Sequence, residues 1–259
     1  MFHKKNKNNK TILIFVFLTA FILLSVFFIF CWGQREDLLI KKDIPSYHIV
    51  VAKYKEDITW FSHMDRDKLY VYDKSGDKQS PFIPLENKGR EGSTFLGHII
   101  EYYDSLPDYV ILVQGNPFAH MRPEITPQNF QSNINKLIEK RPAKKQPLFC
   151  DYWKEHSNTY SGLMIDQYIE YIFEGKPKGT IQYASGNQYI IPRKEILKRP
   201  KAFYQKLWKM TIKGDHYSNH QAHFAQKNFD RSEIIGWTFE RLFDMIISDV
   251  PVNKKFLSS

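Results

Sequence analysis

An α/β protein built on a mostly parallel sheet flanked by helices is what this sequence predicts, on three observations. Residues 109–113 (YVILV) are apolar without alternation, the texture of a strand buried on both faces. Residues 92–103 place Phe95, Leu96, Ile99, Ile100 and Tyr103 at helical spacing directly before that strand. A strand-like run precedes the helix, and strand, helix and strand in that order imply parallel neighbours joined by a crossover.

The elements follow in order. Residues 47–52 (YHIVVA) and 68–72 (KLYVY) are short β-branched and aromatic runs and predict the first two strands. The helix at 92–103 and the strand at 109–113 come next. Thr126 followed by Pro127 marks a helix start, and Phe130, Ile134, Leu137 and Ile138 supply its buried stripe as far as Glu139. Residues 163–173 continue the helical texture. Residues 180–191 read as a strand pair around Ser185 and Gly186, followed by helices at about 193–197 and 200–210. The last predicted helix, 236–247, carries Phe239, Leu242, Phe243 and Ile246 on one face.

Ahead of this domain, residues 11–32 contain no charged side chain. At about 1.5 Å per residue such a run is roughly 33 Å long as a helix, enough to cross the hydrocarbon core of a bilayer. A cleaved signal has a shorter apolar stretch of about 7–15 residues, and Phe30, Cys31 and Trp32 form a poor cleavage site. The expectation is a single N-terminal transmembrane helix. Lys4, Lys5, Lys7 and Lys10 precede it, so the head is expected on the cytoplasmic side and the main domain outside the cytoplasm, a single-pass type II protein of the Golgi or ER lumen or of a periplasm. The expected organisation is a basic head (1–10), an anchor (11–32), a stem (33–46), an α/β domain (47–250) and a tail (251–259).

Charge narrows the partners. Of 37 Lys and Arg, the four lysines named above lie in the head, which leaves 33 against 28 acidic residues. The surplus is mild and scattered among acids, which argues against nucleic acid as a partner and suits a small phosphorylated substrate or an acidic glycan. Two cysteines occur, Cys31 in the anchor and Cys150 in the body, so the domain has no internal disulfide.

In open α/β sheets ligands bind beyond the carboxyl ends of the strands, so the residues after each apolar run carry the chemistry. After the first run stand Lys53, Tyr54, Lys55, Glu56 and Asp57; the loop after the second ends in Asn87, Lys88, Gly89, Arg90, Glu91 and Gly92; after the third come Gln114, Gly115, Asn116, Pro117 and then His120. Gly89 and Gly92 bracket Arg90 ahead of a helix, and exposed N–H groups beside a guanidinium make an anion site suited to a diphosphate. The same residues would also make an ordinary glycine turn. Asp65-Arg66-Asp67 spells an acid-x-acid pattern but precedes a strand, which reads as a solvated turn. His216, His220 and His223, with Asp215 adjacent, have the spacing to place three imidazoles on one helical face, where Zn²⁺ or Mn²⁺ would fit, or to stand exposed on a polar segment. Glu240 and Arg241 form a charged pair among apolar neighbours; on the surface the pair is routine, while a buried Glu240 becomes a candidate base or acceptor ligand.

At these residues a resemblance appears. VVAKYKEDITWF (50–61), NKGREGSTFLGHIIEYYDSLPD (87–108), ILVQGNPFAH (111–120) and YASGNQYIIPRKEILKRPKAFYQKL (183–207) resemble domain-of-unknown-function family three-four-three-one over nearly all of residues 47–247. The order of blocks and the Glu-Arg-Leu ending are similar to glycosyltransferases of the GT-A type, which have a nucleotide-sugar half and an acceptor half. The resemblance implies a GT-A-like, Rossmann-like fold and transfer of a sugar from a nucleotide sugar to a glycan or glycoprotein acceptor. In that reading Glu56 and Asp57 contact the nucleoside, and Lys88 and Arg90, in the loop that also offers Asn87 and Glu91, hold the diphosphate. Gln114, Asn116 and His120 touch the donor sugar, Gly186 and Asn187 shape the acceptor side, and Glu240 or Asp151 serves as base. GT-A enzymes usually carry an acid-x-acid motif after a mid-sheet strand to hold Mn²⁺ or Mg²⁺, whereas this chain has Gln114-Gly115-Asn116 there. Either Arg90 and Lys88 neutralise the leaving group without metal, or the chain is a non-catalytic carbohydrate-binding or scaffolding membrane protein.

Overall fold

The computed structural model describes residues 21–27, 44–156, 163, 165–174, 180–214 and 231–258. The chain divides into two compact units, residues 1–44 and 45–259. In the first, residues 21–27 are helical, and among the described residues no helix is long and apolar enough to cross a membrane.

The second unit holds eight strands among its described residues: β1 (Tyr47–Lys53), β2 (Leu69–Asp73), β3 (Ile83–Pro84), β4 (Tyr109–Gln114), β5 (Gln146–Pro147), β6 (Tyr152–His156), β7 (Thr180–Ala184) and β8 (Tyr189–Pro192). The helices are α1 (Arg90–Glu101), α2 (Pro127–Glu139), α3 (Ile165–Ile172), α4 (Arg193–Ile196), α5 (Lys201–Lys213), α6 (Arg231–Ile246) and α7 (Lys254–Ser258). Six strands form one sheet in the order β3-β2-β1-β4-β8-β5. Its first four strands are mutually parallel, and β8 is antiparallel to both neighbours. The sheet is therefore mostly parallel and flanked by helices, as the sequence predicts.

The unalternating strands are explained by burial on both faces. Val50 of β1, Val110 and Leu112 of β4 and Tyr189 and Ile191 of β8 pack with Phe95, Leu96 and Ile99 of α1 and with α5 and α6. Ile49 and Val51, Ile111 and Val113, and Ile190 point the other way, onto Trp60, Phe61 and the Phe130, Ile134 and Ile138 stripe of α2. Each such side chain contributes about 1.5–3 kcal/mol by leaving water. The start of α2 agrees with its sequence signal: Pro127 takes the first helical position, and the Thr126 N–H donates to Asn129 Oδ1 at 2.9 Å.

Two expectations change. Residues 180–191 do hold two strands, but β7 pairs with β6 in a separate two-stranded sheet while β8 pairs with β4. The Ser185–Asn187 turn passes the chain from one sheet to the other, with Gly186 at φ 64° and Asn187 at φ 56°. The last long helix begins at Arg231, so Gly236 lies in its interior and not at its start. Residues beyond Pro251 also belong to the packed unit: Phe256 is fully buried and Val252 bridges to Phe173.

Candidate functional site

The chain runs from β1 outward to β2 and β3, then returns through α1 to β4 on the other side of β1. This reversal opens a crevice at the carboxyl ends of β1 and β4, the place where open α/β sheets take ligands. A cleft of about 430 Å³ lies there, lined by Ala52, Lys53, Tyr54, Glu56, Lys74, Asn87, Gly89, Arg90, Glu91 and Gln114. Because β8 runs antiparallel beside β4, the turn before it reaches the same edge.

The first turn of α1 forms one wall. Gly89 has φ 64°, and a β-carbon on it would stand 2.6 Å from Thr211 Cβ, so glycine is required both by conformation and by the approach of α5. Across from it, a β-carbon on Gly236 would lie 2.9 Å from Arg90 Cγ. That absent side chain lets α6 seat the Arg90 stem, while its guanidinium lies 5.0 Å from the Trp237 ring and its Nε 3.6 Å from Glu91 Oε2.

Lys74, the residue after β2, is buried, and its ammonium donates to the Lys88 carbonyl at 2.7 Å, to Ser93 Oγ at 2.7 Å and to the Arg90 carbonyl. All three acceptors are neutral. Burial draws its pKa down to about 8, with Glu91 opposing and Arg90 adding. Beside it Lys53 Nζ pairs with Asp73 at 2.9 Å. Burial alone would raise the Asp73 carboxyl, but hydrogen bonds from Ser80, Ser75 and Lys53 outweigh it and hold the group well below the carboxylate range. Asp73 thus fixes the strand end from which Lys74 projects.

Behind α1, Glu240 and Arg241 of α6 form a pair at 2.8 Å with side chains only 13% and 6% exposed. Burial and the neighbouring Glu91 carboxylate raise the Glu240 pKa to about 7, against the pull of Arg241 and Arg90. A carboxyl tuned upward in this way suits a base working near neutral pH. At the far end of the cleft, the Gly186 backbone packs on two side chains: a β-carbon there would be 2.8 Å from His120 Cδ2 and 3.0 Å from Gln114 Cδ. His120 Nδ1 and Ser185 Oγ share a hydrogen bond of 2.9 Å.

Several buried polar atoms have no protein partner among the described residues: Glu91 Oε1, Thr94 Oγ1, Gln188 Oε1 and both amide atoms of Asn187. Unpartnered buried amides and carboxylates are uncommon in folded proteins.

The structure gathers Glu56, Asn87, Arg90, Glu91 and Gln114 around one cleft and places Gly186 and His120 next to it through Gln114. Glu56 leans on Gly115, where a β-carbon would meet its Oε2 at 2.5 Å, and the same oxygen accepts from the Tyr54 N–H at 2.6 Å. Other candidates stand apart. Asp57 caps Thr59 through N–H and hydroxyl contacts of 2.9 and 3.2 Å, and Lys88 turns outward to Glu86 at 2.6 Å. Asn116 is exposed at the start of a short 3₁₀ turn. Asp151 pairs with Arg122 at 3.1 Å with its side chain 80% exposed, away from the cleft lining. Asp65 and Asp67 form an exposed turn, Asp65 accepting from the Asp67 N–H. Asp215, His216, His220 and His223 lie outside the described residues.

Lys74 is the cleft cation that strand-end reading passed over, whereas Lys53 stands among the residues expected after the first run. Lys74 immediately follows the second apolar run, so the rule that found Glu56 and Gln114 also points to it; the glycines further on drew the reading to the end of the loop. For Mn²⁺ or Mg²⁺ the residues fit poorly. Among the described residues no three His, Cys, Asp or Glu side chains converge, and the cleft offers amides and cations beside two separate carboxylates.

Comparison with known proteins gives a single match. No curated protein and no solved structure matches the chain. A family model covers residues 49–255, which spans the sheet, the cleft walls and the helices behind them, and the chain therefore belongs to the family described as protein of unknown function, DUF3431.

Proposed function

We propose that the protein is a membrane-anchored glycosyltransferase that moves a sugar from a nucleotide sugar to a glycan or protein acceptor, its domain held outside the cytoplasm by the N-terminal apolar run. The observation that carries this reading is Lys74: a buried ammonium with only neutral hydrogen-bond partners, beside Arg90 and the first turn of a twelve-residue helix. Its charge and the helix N–H groups, which lack intrahelical acceptors, create a positive field in a concave site at the sheet's switch point. That field suits a diphosphate whose charge grows as it departs.

In the proposed step Glu240 takes the proton of an acceptor hydroxyl. The acceptor oxygen bonds to the anomeric carbon, the bond from that carbon to the diphosphate oxygen breaks, and the diphosphate leaves with the electron pair. Lys74, Arg90 and the α1 terminus stabilise it, Glu56 and Tyr54 border the nucleoside, and Gln114 and His120 orient the sugar. No part of the step is drawn through a metal ion. The deciding experiment is thermal unfolding of the full chain in detergent against nucleotides and nucleotide sugars. A ligand at about 100 times its Kd adds roughly 2.7 kcal/mol. A shift from one nucleotide class, lost in Arg90→Ala, is expected; no shift from any of them sinks the proposal.

A further inference from the structure

Trp153 is a large exposed aromatic beside the acceptor end of the cleft. It sits on β6 with 46% of its surface open. Two rings hold it in place: His120 at 6.0 Å and 85°, and Tyr183 at 5.9 Å and 81°, both edge-on. An indole held from two directions with nearly half its surface open to solvent has limited side-chain freedom and an accessible face, which is the state a binding platform needs.

Its neighbours are polar. His120, hydrogen-bonded through Nδ1 to Ser185, stands between Trp153 and the Gly186 backbone, and Gly186 touches Gln114 of the cleft. Asp151 stands two residues before Trp153, just ahead of β6, with Arg122 paired to it at 3.1 Å in solvent. An apolar plate with an imidazole at its edge and a hydroxyl behind that imidazole matches the chemistry of a pyranose, which has an apolar C–H face and a rim of hydroxyl groups.

We infer that Trp153 is the stacking platform of a saccharide acceptor subsite, with Asp151 and Arg122 addressing the sugar hydroxyls, so that the acceptor is a glycan. This rests on the glycosyltransferase reading and narrows it. Among the described residues His120 and Gly186 lie between the indole and Gln114, which puts a sugar on Trp153 beside the cleft.

The test is binding of chitotriose, cellotriose and mannotriose to the full chain in detergent, followed by indole fluorescence and by saturation-transfer NMR on the sugar. At least one trisaccharide is expected to bind, with transfer to its ring C–H protons. Trp153→Ala is expected to weaken it roughly tenfold or more, the loss of about one aromatic contact, while Trp153→Phe retains most of the affinity. Trp153→Phe should melt with the parent and Trp153→Ala, which loses the edge contacts to His120 and Tyr183, slightly below it while still folding cooperatively. Nucleotide-sugar binding, measured on the same samples, should be unchanged in Trp153→Ala. Failure of all three sugars, or affinity unchanged in Trp153→Ala, overturns the platform even where nucleotide binding survives. Loss of nucleotide binding in the parent chain would instead remove the reading on which the platform rests.

Discussion

Gly236 and Arg90 touch across the α1–α6 contact so closely that a β-carbon on the glycine would stand 2.9 Å from Arg90 Cγ and 2.9 Å from the Gly89 carbonyl carbon. Alanine normally stabilises a helix interior by about 0.5–1 kcal/mol over glycine. Here one of the atoms it meets is backbone, which cannot swing away, and overpacking of this kind costs about 1–3 kcal/mol. Gly236→Ala should therefore lower stability in chemical denaturation and, by displacing Arg90, weaken nucleotide binding in the same titration.

Lys74→Met keeps the volume of the buried stem and removes the ammonium. Three acceptors, the Lys88 and Arg90 carbonyls and Ser93 Oγ, lose a charged donor. The expected cost is about 2–3 kcal/mol in urea unfolding. A melting shift by nucleotide sugars that persists undiminished in this variant would show that Lys74 acts only in folding.

Gly115 separates the two. A β-carbon there meets the Glu56 carboxylate at 2.5 Å, a flexible side-chain end on the surface, so Gly115→Ala should fold with nearly parental stability. Glu56 must then move out of the cleft. Isothermal titration should show a several-fold weaker nucleotide Kd with an unchanged melting temperature.

Glu240 must be ionised to accept a proton, and burial, with Glu91 adding, raises its pKa to about 7. The turnover rate should rise with pH through about 7 and level off above it. Glu240→Gln should lower turnover by about 10²–10⁴ and leave nucleotide affinity intact, since a base contributes mainly to the chemical step. Turnover unaffected by the substitution would return the base to be sought elsewhere.

On the far side of the sheet from the strand ends, His48 Nδ1 and His98 Nε2 are 3.1 Å apart, and His98 Nδ1 shares a 2.9 Å hydrogen bond with the Tyr72 hydroxyl. Burial lowers both imidazoles, His48 to about 4 with Lys68 adding and His98 to about 3 with His48 adding. Each is neutral when folded but binds a proton near pH 6.5 when unfolded, so stability present above about 6.5 is lost as pH falls toward about 4. Glu240, with its raised pKa, has the opposite sign: its contribution is full below about 4.5 and is lost as pH rises through about 7. Melting temperature against pH, compared between the parent and His48→Gln, isolates the imidazoles. The variant should lose less stability between pH 6.5 and 4, and parallel curves would refute the assignment.

Much of this architecture could be read from local pattern. A β-branched run marked β1 and an apolar run without alternation marked β4, whose faces are both covered, and Thr126-Pro127 marked α2 because capping chemistry is local. The strand-end rule brought Glu56, Arg90, Glu91 and Gln114 to one cleft, since parallel strands carry their carboxyl ends to a common edge. It could not tell Asp57, which caps its own turn, from Glu56, which faces the cleft one residue earlier. The short strands β3 and β5 were invisible, two residues offering no period to detect.

By itself the sequence determined the fold class, the order of the longer strands and helices through α2, the polar character of the strand ends and the membership of the family. Those are properties of neighbours in the chain, set by propensity, periodicity and capping. Only the tertiary structure decided that β7 and β8 part into different sheets, that Gly236 is a seat for Arg90 and not a helix start, that Asp151 stands in solvent while Glu240 is buried beside Glu91, and that Trp153 meets His120. Each of these depends on contact between residues far apart in sequence, where packing geometry and desolvation, and not local pattern, set the position and the charge.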